Sequence, residues 1–261
     1  MQPELVYKKL VKGLSDFFTN AGYEKAYIGL SGGIDSTVAA CIAKQALGKN
    51  NVTGISMPSR LSSNESVSDA YRLAENLGIK IIKVPIDPIF SAYRVSFSEH
   101  FRNLPEDHTE ENIQARIRAN ILMAMANKFN ALVINTGNRT EAALGYATLY
   151  GDMCGAVALL GEVNKLMIYR IAEYINRDKE IIPRSIIEKK PSAELSAGQT
   201  DESSLGAGYD ILAPMVDDIE DGRSFDELKA RYSEDILRKT IERIERNRFK
   251  RRQMPPGIRI T

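Results

Sequence analysis

The stretch Ser31–Ser36 (Ser-Gly-Gly-Ile-Asp-Ser) lies between two strongly patterned segments, and it limits the fold more than any other part of the chain. Residues 26–30 form a short apolar run, which is typical of a buried strand. Residues 37–47 have the composition of a helix and are followed by a glycine. A strand that turns through two glycines directly into a helix predicts an α/β domain.

The same stretch has the chemistry of an anion site. The backbone N–H groups at a helix N-terminus favour phosphate, and glycines without a Cβ allow a close approach. Ser31 and Ser36 add hydroxyl donors, whereas the carboxylate of Asp35 would repel phosphate unless a divalent cation lies between them. The alternative is a plain strand–helix corner, eased by the glycines and capped by a polar side chain.

Further strands and helices alternate along the chain, which predicts a doubly wound parallel sheet of five strands with a C-terminal helical extension. The strands that the pattern locates after the first are 51–57, 79–84 and 131–135. The predicted helices are 4–20, 64–76, 89–103, 109–129, 164–177, 208–219 and 233–249.

A second group of polar residues follows the last of these strands. Ligands of such sheets bind beyond the carboxyl ends of the strands, so Thr136–Glu141 is expected near Ser31–Ser36. There Glu141 and Asp35 would hold Mg²⁺ together with phosphate oxygens, although Glu141 would also suit an ordinary first helical turn. Lys165 begins a helix, where a cation is slightly unfavourable, and this hints at an anionic partner.

Composition excludes several classes of function. The 261 residues carry a net charge of +1, so bulk electrostatics predicts neither a nucleic-acid nor a membrane partner. Cys41 and Cys154 are too few for a disulfide framework and too far apart for a zinc site, which predicts reduced thiols in the cytoplasm. His100 and His108 have no partners at ligand spacing and are predicted to lie on the surface.

Two polar segments leave alternatives open. Residues 190–208 form either a flexible linker or a docked lid that closes on a ligand, and Leu195 and Leu205 favour the lid. The basic segment 246–256 is either a solvated end or a clamp that contacts phosphate.

Read together, these stretches resemble the NAD⁺ synthetase family, whose Ser-Gly-Gly-x-Asp-Ser loop is that of the ATP pyrophosphatases. The resemblance extends in order over essentially the whole chain. It is carried by residues 30–36, 111–116, 136–141, 144–152, 165, 190–195, 199–206 and 250–252.

The resemblance implies that ATP adenylates deamido-NAD⁺ and that ammonia then displaces AMP to give NAD⁺. Asp35 and Glu141 would bind Mg²⁺, Arg116 and Lys250 would contact deamido-NAD⁺, and Asp152 would deprotonate or position ammonia. Lys165 would contact ATP and neutralise the departing pyrophosphate. The implied ATP-binding residues are Gly29, Leu30, Ser31, Gly32, Gly33, Ile34, Asp35, Ser36, Thr136, Lys165 and Ser192.

The resemblance also implies a single domain over 1–261, with an ATP-binding core in 1–145 and a substrate loop, lid and helices in 146–261. A homodimer is expected. Leu149, Ala156 and Phe249 depart from the ammonia-dependent bacterial pattern, and residues 148–155 resemble glutamine-dependent enzymes instead. With no room for an amidase domain in this chain, we expect free ammonia or a glutaminase partner. Rival interpretations are another enzyme with this loop, such as a GMP synthetase or a tRNA thiolase, and an adenine-nucleotide sensor.

Overall fold

The predicted sheet is present. The computed structural model describes residues 1–196 and 198–260, and in these ranges it shows a parallel five-stranded sheet with helices on both faces. The strands are β1 (Ala26–Gly29), β2 (Val52–Ser56), β3 (Lys80–Lys83), β4 (Leu132–Asn135) and β5 (Val157–Ala158). The helices are α1 (Pro3–Ala21), α2 (Ile34–Leu47), α3 (Asn64–Leu77), α4 (Asp87–Phe97), α5 (His108–Lys128), α6 (Arg139–Leu144), α7 (Lys165–Ile175), α8 (Arg184–Glu188), α9 (Asp201–Leu205), α10 (Tyr209–Glu220), α11 (Phe225–Lys229) and α12 (Glu234–Arg251).

The strand order is β3-β2-β1-β4-β5, so the direction of winding reverses between β1 and β4. In open parallel sheets a crevice forms at this reversal, outside the carboxyl ends of the strands. The segments that follow β1 and β4 therefore open into the same crevice. The fifth strand has only two residues and lies within the apolar run 156–160, for which the sequence analysis located no strand.

Two apolar layers cover the sheet. On one face α1, α2, α3 and α7 bury a large cluster that includes Phe18, Ile42 and Ile171. On the other face α4 and α5 contribute Phe90 and Ile117 to a second cluster. Burial of such side chains is worth roughly 1.5–3 kcal/mol each, and it holds the strand ends at fixed positions beneath the crevice.

The C-terminal extension packs against the core through α6. Apolar residues of α6 and α10 form a third cluster with Ile244 of α12. The basic segment is therefore not a disordered end, because its first part forms the last turns of α12. Among the described residues, no helix combines the length and the apolar character that a membrane span requires.

The helix after the glycine turn begins earlier than the sequence pattern predicts. Gly33 is extended, with φ −92° and ψ 159°, and α2 starts at Ile34 rather than at residue 37. Asp35 and Ser36 therefore belong to the first helical turn. There their side chains lie at the positive end of the helix dipole and face the crevice.

Candidate active site

The crevice is a cleft of about 320 Å³, which lies within the usual range for a ligand site. Its lining includes every residue predicted to bind ATP, from Gly29–Ser36 to Thr136, Lys165 and Ser192, together with Glu141 and Asp152. These side chains come from segments more than 100 residues apart in the chain, and the sheet topology brings them together. A plain strand–helix corner would need no such convergence.

The glycine turn is held in shape by its own hydroxyls. Ser31 Oγ lies 3.2 Å from Ser36 Oγ and accepts a hydrogen bond from Gly33 N at 3.2 Å, and Ser36 Oγ donates to Gly33 O. Gly32 has φ +81°, and a Cβ at this position would lie 2.1 Å from Ser66 O. The turn thus packs directly against the N-terminal turn of α3, and only glycine fits there.

Lys165 joins the two predicted metal ligands. Its Nζ donates to Asp35 Oδ2 at 2.6 Å and to Glu141 Oε1 at 2.8 Å, and only 3% of its side chain is exposed. The two carboxylates therefore converge on one cation, from the first turns of α2 and α6. This explains why a lysine begins α7: the carboxylates facing it outweigh the unfavourable helix dipole.

Burial and charge compete at this centre. Burial raises the pKa of Glu141, and the negative charge of Asp35 adds to the rise, while the ammonium of Lys165 acts in the opposite direction. Burial would lower the pKa of Lys165, but the two carboxylates prevail and raise it. One ammonium shared by two acids leaves a net negative charge, which favours an additional cation.

Four further side chains belong to the centre. Asn138 stands within the predicted group 136–141, whereas Asp201, Tyr146 and Tyr209 had no clear signal in the sequence. Asn138 Nδ2 donates to Asp35 Oδ1 at 2.8 Å. The Tyr209 hydroxyl donates to Asp201 Oδ2 at 2.9 Å and lies 3.4 Å from Glu141 Oε1, and Tyr146 donates to Asp201 Oδ1. Asp201 and both tyrosines come from separate loops and helices, so no local motif marks them; the one hint was that Asp201 stands in the polar lid segment.

Tyr209→Phe is expected to destabilise the protein by about 1–3 kcal/mol, because buried Asp201 loses a hydrogen-bond donor. Urea unfolding followed by circular dichroism would measure the change. Tyr146→Phe is the matched control: it removes the other donor to Asp201, at a half-buried site, and a smaller loss is expected. A loss for Tyr209→Phe no larger than that of the control would contradict the assigned contact.

The polar segment after α8 is docked, as the lid interpretation predicts, apart from Ala197, which lies outside the described residues. Glu194 accepts hydrogen bonds from Ser63 N, Ser63 Oγ and Ser66 Oγ at the start of α3. Gln114 Nε2 donates to Leu195 O. Ser192 lines the cleft and donates to Gln199 O. The segment thus docks on the start of α3, lines the cleft with residues 191–195 and continues into α9.

Asp152 also lines the cleft. Its Oδ1 accepts a hydrogen bond from Thr148 N at 2.6 Å, and Asn135 Nδ2 donates to its backbone carbonyl. Asp152 remains accessible to solvent, but the protein atoms around its carboxyl group partly desolvate it and raise its pKa to about 6, against the opposing effects of the Thr148 hydrogen bond and the Lys250 charge. A carboxyl group of this pKa can exchange protons near neutral pH.

The two residues predicted to contact deamido-NAD⁺ do not line this cleft. Arg116 is exposed and donates through Nε to Leu149 O at 3.2 Å. Lys250 donates to Gly145 O and Ala147 O, which fixes the turn after α6. Their contact with substrate stays a prediction, and it would require the substrate to extend beyond the cleft described here.

The histidines lie where the sequence predicts. His100 and His108 are exposed, and His108 Nδ1 lies 2.8 Å from a carboxylate oxygen of Glu111. Cys41 and Cys154 are free. Neither residue type therefore contributes a zinc or disulfide site to the described part of the chain.

Comparison with known proteins identifies the family. A sequence model of the NAD synthase family matches residues 6–255. The chain belongs to this family. The glutamine-dependent NAD(+) synthetase of Synechocystis is 44% identical over 260 residues, which cover 99% of this chain and 46% of that protein. The chain therefore spans about half the length of the curated relatives that it matches.

Two solved structures match the chain over nearly their whole length. An NMN synthetase from Francisella tularensis is 32% identical, with a TM-score of 0.83 and coverage of 96% of both chains. An NH3-dependent NAD synthetase from Campylobacter jejuni is 26% identical, with a TM-score of 0.79 and coverage of 98% of both chains. This chain thus matches nearly the whole of these two chains and about half of the Synechocystis protein.

The residues of the cleft fit a magnesium ion. Among the described residues no three His, Cys, Asp or Glu side chains form a complete metal site, so the protein alone would offer few ligands. Mg²⁺ is commonly held by one or two carboxylates together with substrate phosphates and water. Asp35 and Glu141 supply two hard oxygen ligands that already converge on a cation, next to a turn suited to phosphate.

Proposed function

We propose that this chain catalyses the ATP-dependent amidation of deamido-NAD⁺ to NAD⁺ through an adenylated carboxylate, with ammonia as the nitrogen donor. The observation that carries the proposal is the meeting of Asp35 and Glu141 around Lys165, beside the glycine turn. Simple nucleotide binding needs no second buried carboxylate, so this arrangement favours an enzyme over a sensor. Family membership supports the same activity.

In this reaction the glycine turn would hold the ATP phosphates through its backbone N–H groups and the hydroxyls of Ser31 and Ser36. Lys165 would neutralise charge that develops on the pyrophosphate leaving group. Asp35 and Glu141 would hold magnesium, which supplies further charge neutralisation when bound. Thr136 and Ser192 line the cleft within reach of the same ligand.

Adenylation is needed because ammonia does not displace oxygen from a free carboxylate, whereas AMP is a good leaving group. The lid, residues 190–208 apart from Ala197, would exclude water that otherwise hydrolyses the adenylate. Asp152 would accept the proton that ammonia loses as it attacks the acyl carbon. Each role is assigned to a side chain or segment that lines the cleft or covers it.

A direct assay tests the proposal. Purified chain with ATP, Mg²⁺, ammonium and deamido-NAD⁺ should form equal amounts of NAD⁺ and AMP. Formation of ADP would refute the proposal, and no turnover with any pyridine carboxylate would refute it and favour the sensor. Replacing ammonium by glutamine in the same assay tests whether the isolated chain can use glutamine by itself, and only ammonium is expected to support turnover.

A second candidate substrate is the mononucleotide, nicotinate mononucleotide, with NMN as product. It is favoured by the match to the Francisella NMN synthetase over 96% of both chains. The placement of Arg116 and Lys250 outside the cleft agrees with a shorter substrate. Comparing kcat/KM for the two carboxylates in one assay decides between them. The homodimer and the cytoplasmic location stay predictions.

The rate of the ammonia step is expected to fall about tenfold per pH unit below about pH 6, because protonated Asp152 no longer accepts a proton. Single-turnover assays on preformed adenylate, at constant free ammonia, would measure the profile. In Asp152→Asn the ammonia step should be slow, and its rate should not show this fall below about pH 6. An unchanged acid limb in that variant would exclude Asp152 as the base.

A further inference from the structure

Arg118 is a cleft residue that the proposed mechanism does not use. It lies on α5, and its Nε donates to Met57 O at 3.1 Å. Among the described residues it has no carboxylate within ion-pair distance, whereas Lys165 and Lys189 of the same cleft are each paired with acids. Burial lowers the pKa of Arg118 to about 10, so the guanidinium stays charged at neutral pH.

The nearest acids do not neutralise this charge. Glu194, Asp87 and Asp152 attract the guanidinium from a distance, but each carboxylate has other hydrogen-bond partners. The neighbours of Arg118 on the cleft wall, Ala115 and Ala119, are small and leave space beside it. A half-buried cation that faces open space without a counterion is suited to an anion of the ligand.

The position of Arg118 in the cleft indicates which anionic group of the ligand it would bind. The glycine turn, Lys165 and Asp152 all line the same cleft. In the proposed reaction pyrophosphate would leave beside the turn and ammonia would attack beside Asp152, so the adenylated group must reach both. Arg118 contacts Met57 O, just beyond the end of β2, and the side chain of Met57 packs against Gly29 at the start of the glycine turn. The guanidinium therefore lies on the cleft wall close to that turn.

We propose that Arg118 binds the α-phosphoryl group of ATP during adenylation, through the guanidinium N–H groups that Met57 does not use. The inference rests on the proposed function. A carboxylate oxygen of the substrate forms a bond to the α-phosphorus, and the bond from that phosphorus to the bridging oxygen breaks. Its electron pair leaves with pyrophosphate, and no proton moves. Arg118 stabilises negative charge on the non-bridging oxygens and keeps all its protons.

Neighbouring Arg116 does not serve this role. Two residues along an α-helix are separated by about 200° around its axis, so the two arginines point to different sides of α5. Arg116 is exposed and reaches Leu149 O, whereas Arg118 lines the cleft. The chain therefore places one arginine at the reacting centre and the other outside it.

Pre-steady-state release of pyrophosphate, measured with ATP, Mg²⁺ and deamido-NAD⁺ in the absence of ammonia, tests the proposal. Arg118→Met keeps the apolar stem and is expected to slow this step about 10²–10³-fold, with the Kd for a non-hydrolysable ATP analogue changed by less than about threefold. Arg118→Lys retains the positive charge but lacks the planar pair of N–H donors, so its rate of pyrophosphate release should lie between those of the wild type and Arg118→Met. Arg170→Met, on the exposed face of α7, is the matched control and should be unchanged.

Arg118→Ala with added methylguanidine distinguishes chemistry from packing. Partial recovery of pyrophosphate release by the added cation supports the proposal, even if Arg118→Met folds poorly. A normal release rate in the variants, a loss confined to the Kd for ATP, or no recovery in folded Arg118→Ala overturns it. If the wild-type chain releases no pyrophosphate with either pyridine carboxylate, the proposed function itself fails.

Discussion

Asp35→Asn is expected to lower the rate of AMP formation by about 10³-fold or more, with little change in the folded structure. The substitution keeps the size of the side chain and an oxygen for Asn138, but it removes one of the two negative charges that converge on Lys165. Both the predicted magnesium site and the charge balance around the leaving group depend on that carboxylate. Steady-state AMP formation at saturating ATP would measure the loss.

The matched control for this experiment is Asp16→Asn. Asp16 also belongs to a helix and pairs with a lysine, Lys12, but both side chains are exposed on α1, far from the cleft. The control is expected to retain full activity because an exposed ion pair contributes little. If Asp35→Asn retained more than about a tenth of the wild-type rate, the acidic pair would not be the centre of the reaction.

Gly32→Ala is expected to lower the free energy of unfolding by about 3 kcal/mol or more and to abolish ATP binding. Two costs add up: a side chain at φ +81° is strained by about 1–2 kcal/mol, and its Cβ would lie 2.1 Å from the backbone oxygen of Ser66. Backbone atoms cannot move aside as a flexible side chain does, so either the turn or the start of α3 must shift.

Gly22→Ala separates the two costs. Gly22 has φ +70° at the end of α1, and a Cβ there would have no atom within 4 Å. It should show the strain alone, about 1–2 kcal/mol. Urea unfolding gives both values. Equal losses for the two variants would mean that close packing against α3 does not require a glycine at position 32.

Much of the core of this protein could be predicted from local patterns. The apolar runs located β1, β2 and β4 because these strands are buried nearly from end to end. Strand β3 lies at the edge of the sheet with exposed ends, and only its two central isoleucines marked it. The glycine turn marked the cleft because its chemistry is contained in six adjacent residues. Short elements could not be predicted in the same way. The helices α6, α8, α9 and α11 have five or six residues each, which is too few to show a helical period.

The site was predicted only where its residues belong to such compact motifs. Asp201, Tyr209 and Tyr146 meet through three separate segments, so each looks ordinary in its own sequence context. The roles of Arg116 and Arg118, which lie on one helix, could not be predicted from the sequence either. Apolar residues are spread around α5, which packs on several neighbours, and the pattern therefore does not tell which arginine faces the cleft.

The sequence by itself determined the α/β class, the glycine turn and the family to which the chain belongs, because these depend on residues close together or on a pattern sustained along the chain. Only the tertiary structure decided that Lys165 bridges Asp35 and Glu141, that the lid is docked through Glu194, and that Arg118 lines the cleft. These contacts arise where β1 and β4 end side by side, and the folding of the sheet alone brings such distant residues within hydrogen-bond distance.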